Sequence, residues 1–171
     1  MKSISLIILI LFSTLVLAAQ KNIVTDTNSV KSIEGIVKKV LQLVSVKKGQ
    51  QRDWDALTNL FLPTATFTVL NNMDTTNRPV ETIGLTEFIV LLHDEYYEQG
   101  YLEYEIGKVI NEYNGIANVF QSFYGKDSEG AEERGINSFQ LVYFENRWWV
   151  AHLLWTLESK NKKIPRKYLQ N

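Results

Sequence analysis

After Gly100 the chain holds four strand-length segments separated by short breaks, and this run constrains the fold more than any other feature. Leu102, Tyr104, Ile106, Lys108 and Ile110 alternate with Glu103, Glu105 and Gly107, the pattern of a half-buried strand with room for a bulge at the glycine. Asn114-Gly115 supplies two residues that tolerate positive φ, as a tight hairpin turn requires, and Ile116 to Tyr124 returns. A charged loop, Lys126 to Glu133, leads to the last pair: Arg134 to Phe144, a turn at Glu145-Asn146, and Arg147 to Trp155. Such a sheet must twist, and its apolar face must be covered by helices. Phe139, Leu141 and Tyr143 occupy one alternation phase and Ile136, Val142 and Phe144 the other. Both faces are therefore expected to be partly covered, one by helices and the other by a second subunit or a long loop.

The helices come from upstream. Ile33, Ile36, Val37, Val40, Leu41 and Val44 recur at helical spacing behind a cap at Ser29 or Ser32. Lys47 to Gln51 interrupts this helix, and Asp53 caps a second one carrying Trp54, Leu57, Leu60 and Phe61 until Pro63 ends it. Ala65 to Leu70 is a short strand rich in β-branched and aromatic residues, and Met73 to Pro79 reads as a surface loop. Thr86 caps a third helix with Phe88, Leu91, Leu92 and Tyr96, which Gly100 ends. The expected class is α+β, a strongly curved antiparallel sheet covered by three N-terminal helices.

The first residues stand apart from this domain. Lys2 precedes an apolar run from Ile4 to Leu17, and Ala18-Ala19 supplies small residues before the polar stretch beginning at Gln20. That order is the signature of a secretory signal peptide over residues 1–19, and the run is shorter than the roughly 20 apolar residues of a spanning helix. The reading predicts export, secreted or periplasmic, with no stable membrane anchor after cleavage. A polar linker, 20–28, follows. With Lys2 removed, 17 basic residues remain against 19 acidic ones, a balance without the electrostatic footprint of a nucleic-acid-binding protein. The chain has no cysteine, which excludes thiol chemistry, and its two histidines lack metal-ligand spacing. No metal and no cofactor are expected.

Three groups of residues carry a resemblance: Gln51-Arg52-Asp53-Trp54-Asp55 with Leu60-Phe61-Leu62-Pro63; Tyr113-Asn114-Gly115-Ile116-Ala117; and Arg134-Gly135-Ile136-Asn137-Ser138 with Arg147-Trp148-Trp149-Val150. Together they resemble the nuclear transport factor 2-like superfamily in its SnoaL-like, polyketide-cyclase-like branch. The resemblance places the domain at 29–160, with a basic C-terminal tail over 161–171. It implies a cone-like half barrel with a cavity between helices and sheet, and a homodimer formed through the outer sheet face. Isomerases, cyclases, dehydratases and non-catalytic binders share this fold, so activity does not follow from it.

Candidate site residues divide by strand phase. Among the polar residues embedded in the last strand pair, Asn137 shares the phase of Phe139 and Leu141. Arg134 shares that of Ile136, Ser138 and Gln140. Both reach one cavity only if a bulge near Gly135 reverses the phase. Trp148 and Trp149 point to opposite faces, and uninterrupted alternation puts Trp155 with Trp149. Asn137, Arg134, Trp149, Trp155 and Trp54 form the expected ligand-binding set, for a small apolar or amphipathic molecule. For proton transfer the candidates are Asp53, more simply a helix cap, and His152, more simply a core histidine beside Trp148, Val150 and Leu154. Glu103 and Glu105 are expected to face solvent. No acid and base pair is legible, so the leading expectation is an exported small-molecule-binding protein without an assignable catalytic constellation. The alternatives are a cofactor-independent isomerase, cyclase or dehydratase, and an interaction module using the outer sheet face.

Overall fold

The computed structural model describes residues 28–71 and 80–169. The signal peptide, the linker apart from Asn28, and the Met73–Pro79 loop lie outside the described residues. A short 3-10 turn, Ser29–Lys31, leads into helix α1, Ile33–Val44. Ser32 is the cap, its hydroxyl accepting from the Gly35 N–H at 3.1 Å. Ile33, Ile36, Val37, Val40 and Leu41 are buried along one face, as the spacing predicts. Asp53 caps helix α2, Trp54–Thr58, by accepting from the Ala56 N–H at 2.9 Å.

Pro63 does not end that helix. α2 closes at Thr58, and strand β1, Phe61–Leu70, already contains the proline. Pro63 lies where the β1 register shifts between Phe61 and Thr66, at an irregularity where its missing N–H is tolerated. β2, Val80–Gly84, is a strand the sequence reading left unassigned. The expected third helix is two: α3, Leu85–Leu91, and α4, Glu95–Glu98, because Asp94 starts a new turn by accepting from the Tyr96 N–H at 2.9 Å. The cap of α3 is Gly84, whose N–H donates to the Glu87 carboxylate at 3.2 Å, and not Thr86.

The four long strands are β3, Tyr101–Tyr113; β4, Ile116–Asp127; β5, Glu132–Phe144; and β6, Arg147–Leu157. Asn114, Gly115, Glu145 and Asn146 all have positive φ, so both predicted tight turns form. The sheet order is β2-β1-β6-β5-β4-β3, unclosed, with β2 and β3 at its edges. It is not wholly antiparallel, since β1 runs parallel to β6. The core lies between the inner sheet face and α1, α2 and α3, with Phe67 stacked on Phe88 at 3.9 Å between ring centroids. Burial of Phe61, Phe67, Phe139 and Leu57 supplies roughly 2 kcal/mol each.

Two bulges decide which side chains face that core. On β3 the pairing with β4 slips between Glu105 and Gly107. Before the slip Tyr101 and Glu103 share the inner face, and after it Ile110 does, so simple alternation inverts the first half of the strand. Gly107 has φ 156°, and a Cβ there would stand 2.4 Å from the Tyr168 carbonyl oxygen. On β6 the pairing slips between Gln140 and Leu141, leaving Ala151 as the extra residue. Trp148, Val150, Leu153 and Trp155 consequently face inward, while Trp149, His152 and Leu154 face outward. The C-terminal segment read as a tail returns over the outer face, with Tyr168 at 5.1 Å from the Phe120 ring.

Candidate functional site

A cavity of about 220 Å³ opens between the helices and the inner sheet face. Its apolar wall includes Val40, Leu41 and Val44 from α1, Phe88 and Leu92 from α3 and the turn after it, and Phe139, Leu153 and Trp155 from the sheet. Its polar end gathers residues from three separate strands. The Asn137 side-chain N–H donates to Glu103 Oε1 at 2.7 Å and to Gln121 Oε1 at 3.0 Å. The Tyr101 hydroxyl lies 2.9 Å from Glu133 Oε1 and 3.3 Å from Glu103 Oε2. Gln121 is fully buried, and its own amide donates to the Ser122 carbonyl at 2.8 Å.

Glycine makes room for this cluster. A Cβ at Gly125 would stand 2.7 Å from the Tyr101 hydroxyl and 3.0 Å from the Glu133 side chain. One at Gly135 would stand 2.5 Å from the Phe123 ring. Bare backbone at these two positions of β4 and β5 lets a phenol, two carboxyls and an aromatic ring share one inner surface.

Glu103 as a whole residue keeps partial solvent access, but its carboxyl is enclosed by these neighbours. Burial pushes its pKa up to about 7, hydrogen bonds from Asn137 and Tyr101 oppose that rise, and the nearby Glu133 charge reinforces it. Tyr97, beside the cluster on α4, is pushed up to about 12, chiefly by burial and then by the charges around it. The Tyr101 phenol is also raised, by burial first and by Glu103 and Glu133 next, and stays protonated. Asn137→Ala is expected to raise the Glu103 pKa above 7, and Tyr101→Phe to raise it by a smaller amount, within about one unit. Carboxyl-carbon NMR titration of the two variants checks the order; an unchanged or lowered value in Asn137→Ala would contradict it.

The structure divides the residues singled out from sequence. Asn137 and Trp155 line the cavity together. Arg134 does not, because the β4 and β5 pairing runs through Gly135 without a bulge. Its guanidinium lies on the outer side, 3.7 Å from Glu158. Trp149 also faces outward, donating to the Phe144 carbonyl at 3.1 Å beneath the Arg147 guanidinium. Trp54 stacks on His93 at 3.9 Å with Arg52 over its ring, in a surface cluster apart from the cavity. Asp53 is occupied as a cap, and His152 Nδ1 pairs with the Thr66 hydroxyl at 2.7 Å on the outer side.

Glu103, expected at the surface, is the central polar residue of the cavity, and Tyr101, Gln121 and Glu133 were not singled out at all. The available signal was the inner row Glu133, Gly135, Asn137, Phe139, Leu141, which is polar at one end and apolar at the other.

No protein-family model matches the sequence, and no curated protein is matched by it. Solved structures do match, and they show the NTF2-like fold. One is an NTF2-like protein of unknown function from Shewanella baltica OS155, 14% identical with a TM-score of 0.52 over 73% of this chain and 90% of that one. The hexachlorocyclohexane dehydrochlorinase LinA-type3 from Novosphingobium barchaimii LL02 is 10% identical with a TM-score of 0.55, covering 72% of this chain and 82% of its own. The CaMKII hub of S. rosetta is 14% identical with a TM-score of 0.54, over 75% and 95% of the two chains.

Proposed function

We propose that the protein is an exported small-molecule-binding protein of the SnoaL-like branch, with the cavity between helices and sheet as its binding site. The observation that carries this is one cavity with an apolar wall and, at a single end, the linked set Tyr101, Glu103, Glu133 and Asn137. Sites for small molecules combine an apolar lining with a few convergent polar groups in this way. Export is supported by Lys2, the apolar run and Ala18-Ala19. A homodimer through the outer face is supported by the cross-strand row Ile116, Val142 and Trp149, in which Ile116 is 62% exposed.

A second reading is favoured by one further observation. A buried carboxyl with a pKa of about 7 beside an apolar cavity wall is matched to proton transfer at neutral pH. In a cofactor-independent isomerase, cyclase or dehydratase, Glu103 would move the proton, since Asp53 and His152 lie elsewhere. The binding reading ranks first because the Asn137 amide and the Tyr101 hydroxyl, the nearest donors, are already bound to carboxyl or amide oxygens within the cluster. A developing oxyanion needs a donor aimed at it.

Native mass spectrometry of the protein purified from its own source tests all three parts. The expected spectrum shows a chain beginning at Gln20, a dimer, and a retained small molecule that is lost in Leu91→Trp, which fills the cavity. A retained Met1, a monomer at micromolar concentration, or a ligand unaffected by the filled cavity would remove the corresponding part.

A further inference from the structure

The polar end of the cavity has a one-sided chemistry. Among the described residues no lysine, arginine or histidine lines the space, while two carboxyls do. Both have an oxygen within hydrogen-bond distance of the same Tyr101 hydroxyl, 2.9 Å for Glu133 and 3.3 Å for Glu103, so one donor group can reach both. The Asn137 amide is committed to Glu103 and Gln121. What remains for a ligand is carboxylate lone pairs, which want a donor, and a cation best of all.

The aromatic residues around that end act in the same direction. Tyr96, Tyr97 and Tyr101 all line the cavity, with their ring centroids 5.0 to 5.9 Å from one another. The face of an aromatic ring attracts a cation, and more strongly where water is excluded. An anionic ligand would meet like charge against an apolar wall with no counter-ion among the described lining residues, which is the costly case.

We propose that the cavity selects a small hydrophobic amine, bound as its ammonium ion between Glu103 and Glu133, with its apolar body against Phe139, Leu153 and Trp155. This rests on the cavity being the binding site. Its size sets the class more narrowly. An apolar cavity of about 150 Å³ takes benzene, so this one holds a single ring with a short chain, or an aliphatic amine of similar bulk. An ammonium group offers three donors, enough for both carboxyls at once.

Three probes of nearly equal size test it: 2-phenylethylamine, 2-phenylethanol and phenylacetate, by calorimetry with the protein at about pH 8, where the raised carboxyl is mainly ionised. The amine is expected to bind at least about tenfold more tightly than the alcohol, and phenylacetate the most weakly. In Glu133→Gln and Glu103→Gln, each shown folded by its melting curve, the amine should lose more affinity than the alcohol, so that its preference over the alcohol shrinks. Should alcohol and amine bind alike, or should both variants keep the amine preference, the ammonium site is overturned and the cavity reading stands. Should none of the three bind, nor any neutral apolar compound of that size, the cavity reading falls and this inference falls with it.

Discussion

Glu103→Gln is expected to stabilise the fold at neutral pH and to remove a slope that the unaltered protein shows between about pH 4.5 and 7. The folded carboxyl is pushed up to about 7, against the ordinary value of 4.5 that stands for the unfolded chain. Between those values the folded state holds a proton that the unfolded state has lost, so unfolding releases a proton and stability falls as pH rises. Below the lower value both states are protonated and the contribution is complete. Above the upper value both are ionised and the loss is complete, on the order of 3 kcal/mol.

Glutamine mimics the protonated acid. Its oxygen still accepts from Asn137, and its amide donates to the Tyr101 oxygen, whose own hydrogen goes to Glu133 at 2.9 Å. Urea unfolding at intervals from about pH 5 to 8 should show the variant gaining on the unaltered chain by roughly 1 to 3 kcal/mol across that interval. Because other groups cancel in this difference, a difference that stays constant with pH would show that Glu103 is not the buried acid described.

Arg52→Ala is expected to cost about 3 to 5 kcal/mol, a large share of the total stability of a domain this size. The guanidinium donates to three carbonyls, from Nε to Leu43 at 3.0 Å, from Nη2 to Val44 at 2.9 Å and from Nη1 to Leu92 at 2.9 Å. Leu43 and Val44 end α1, and Leu92 is the C-cap of α3. Arg52 therefore serves the open carbonyls of two helix ends at once, with its charge placed favourably for both dipoles. Burial, its largest influence, lowers its pKa, while Glu98 and Tyr97 act the other way.

Alanine would leave these carbonyls without their donor. Lysine, lacking the planar fork, would recover only part of the loss. Chemical denaturation measures this directly, and a loss below about 1 kcal/mol would contradict the clamp. Val44 and Leu92 also line the cavity. Ligand affinity in Arg52→Lys should accordingly drop together with stability.

Much of the architecture was legible from local signals. Helix α1 follows from the spacing of Ile33, Ile36, Val37, Val40 and Leu41, and both long hairpins follow from Asn114-Gly115 and Glu145-Asn146. Pro63 misled because a proline at an irregular strand start looks, in one dimension, like one that ends a helix. The candidate site was half legible. Asn137 was found because its phase in β5 is uninterrupted. Simple alternation puts Glu103 on the wrong face and groups Trp155 with Trp149, because each count crosses a bulge.

The sequence by itself determined the succession of helices and long strands, the two tight turns and the polar and apolar alternation within each unbroken strand, since each depends on residues a few positions apart. Only the tertiary structure decided which phase is inside. An extra residue at Ile106 or Ala151 reverses every side chain beyond it, and register is set by pairing with a distant strand. The meeting of Tyr101, Glu103, Gln121, Glu133 and Asn137 likewise exists only in the folded sheet. Its acidity does too, because it arises from burial and from neighbours that lie far away along the chain.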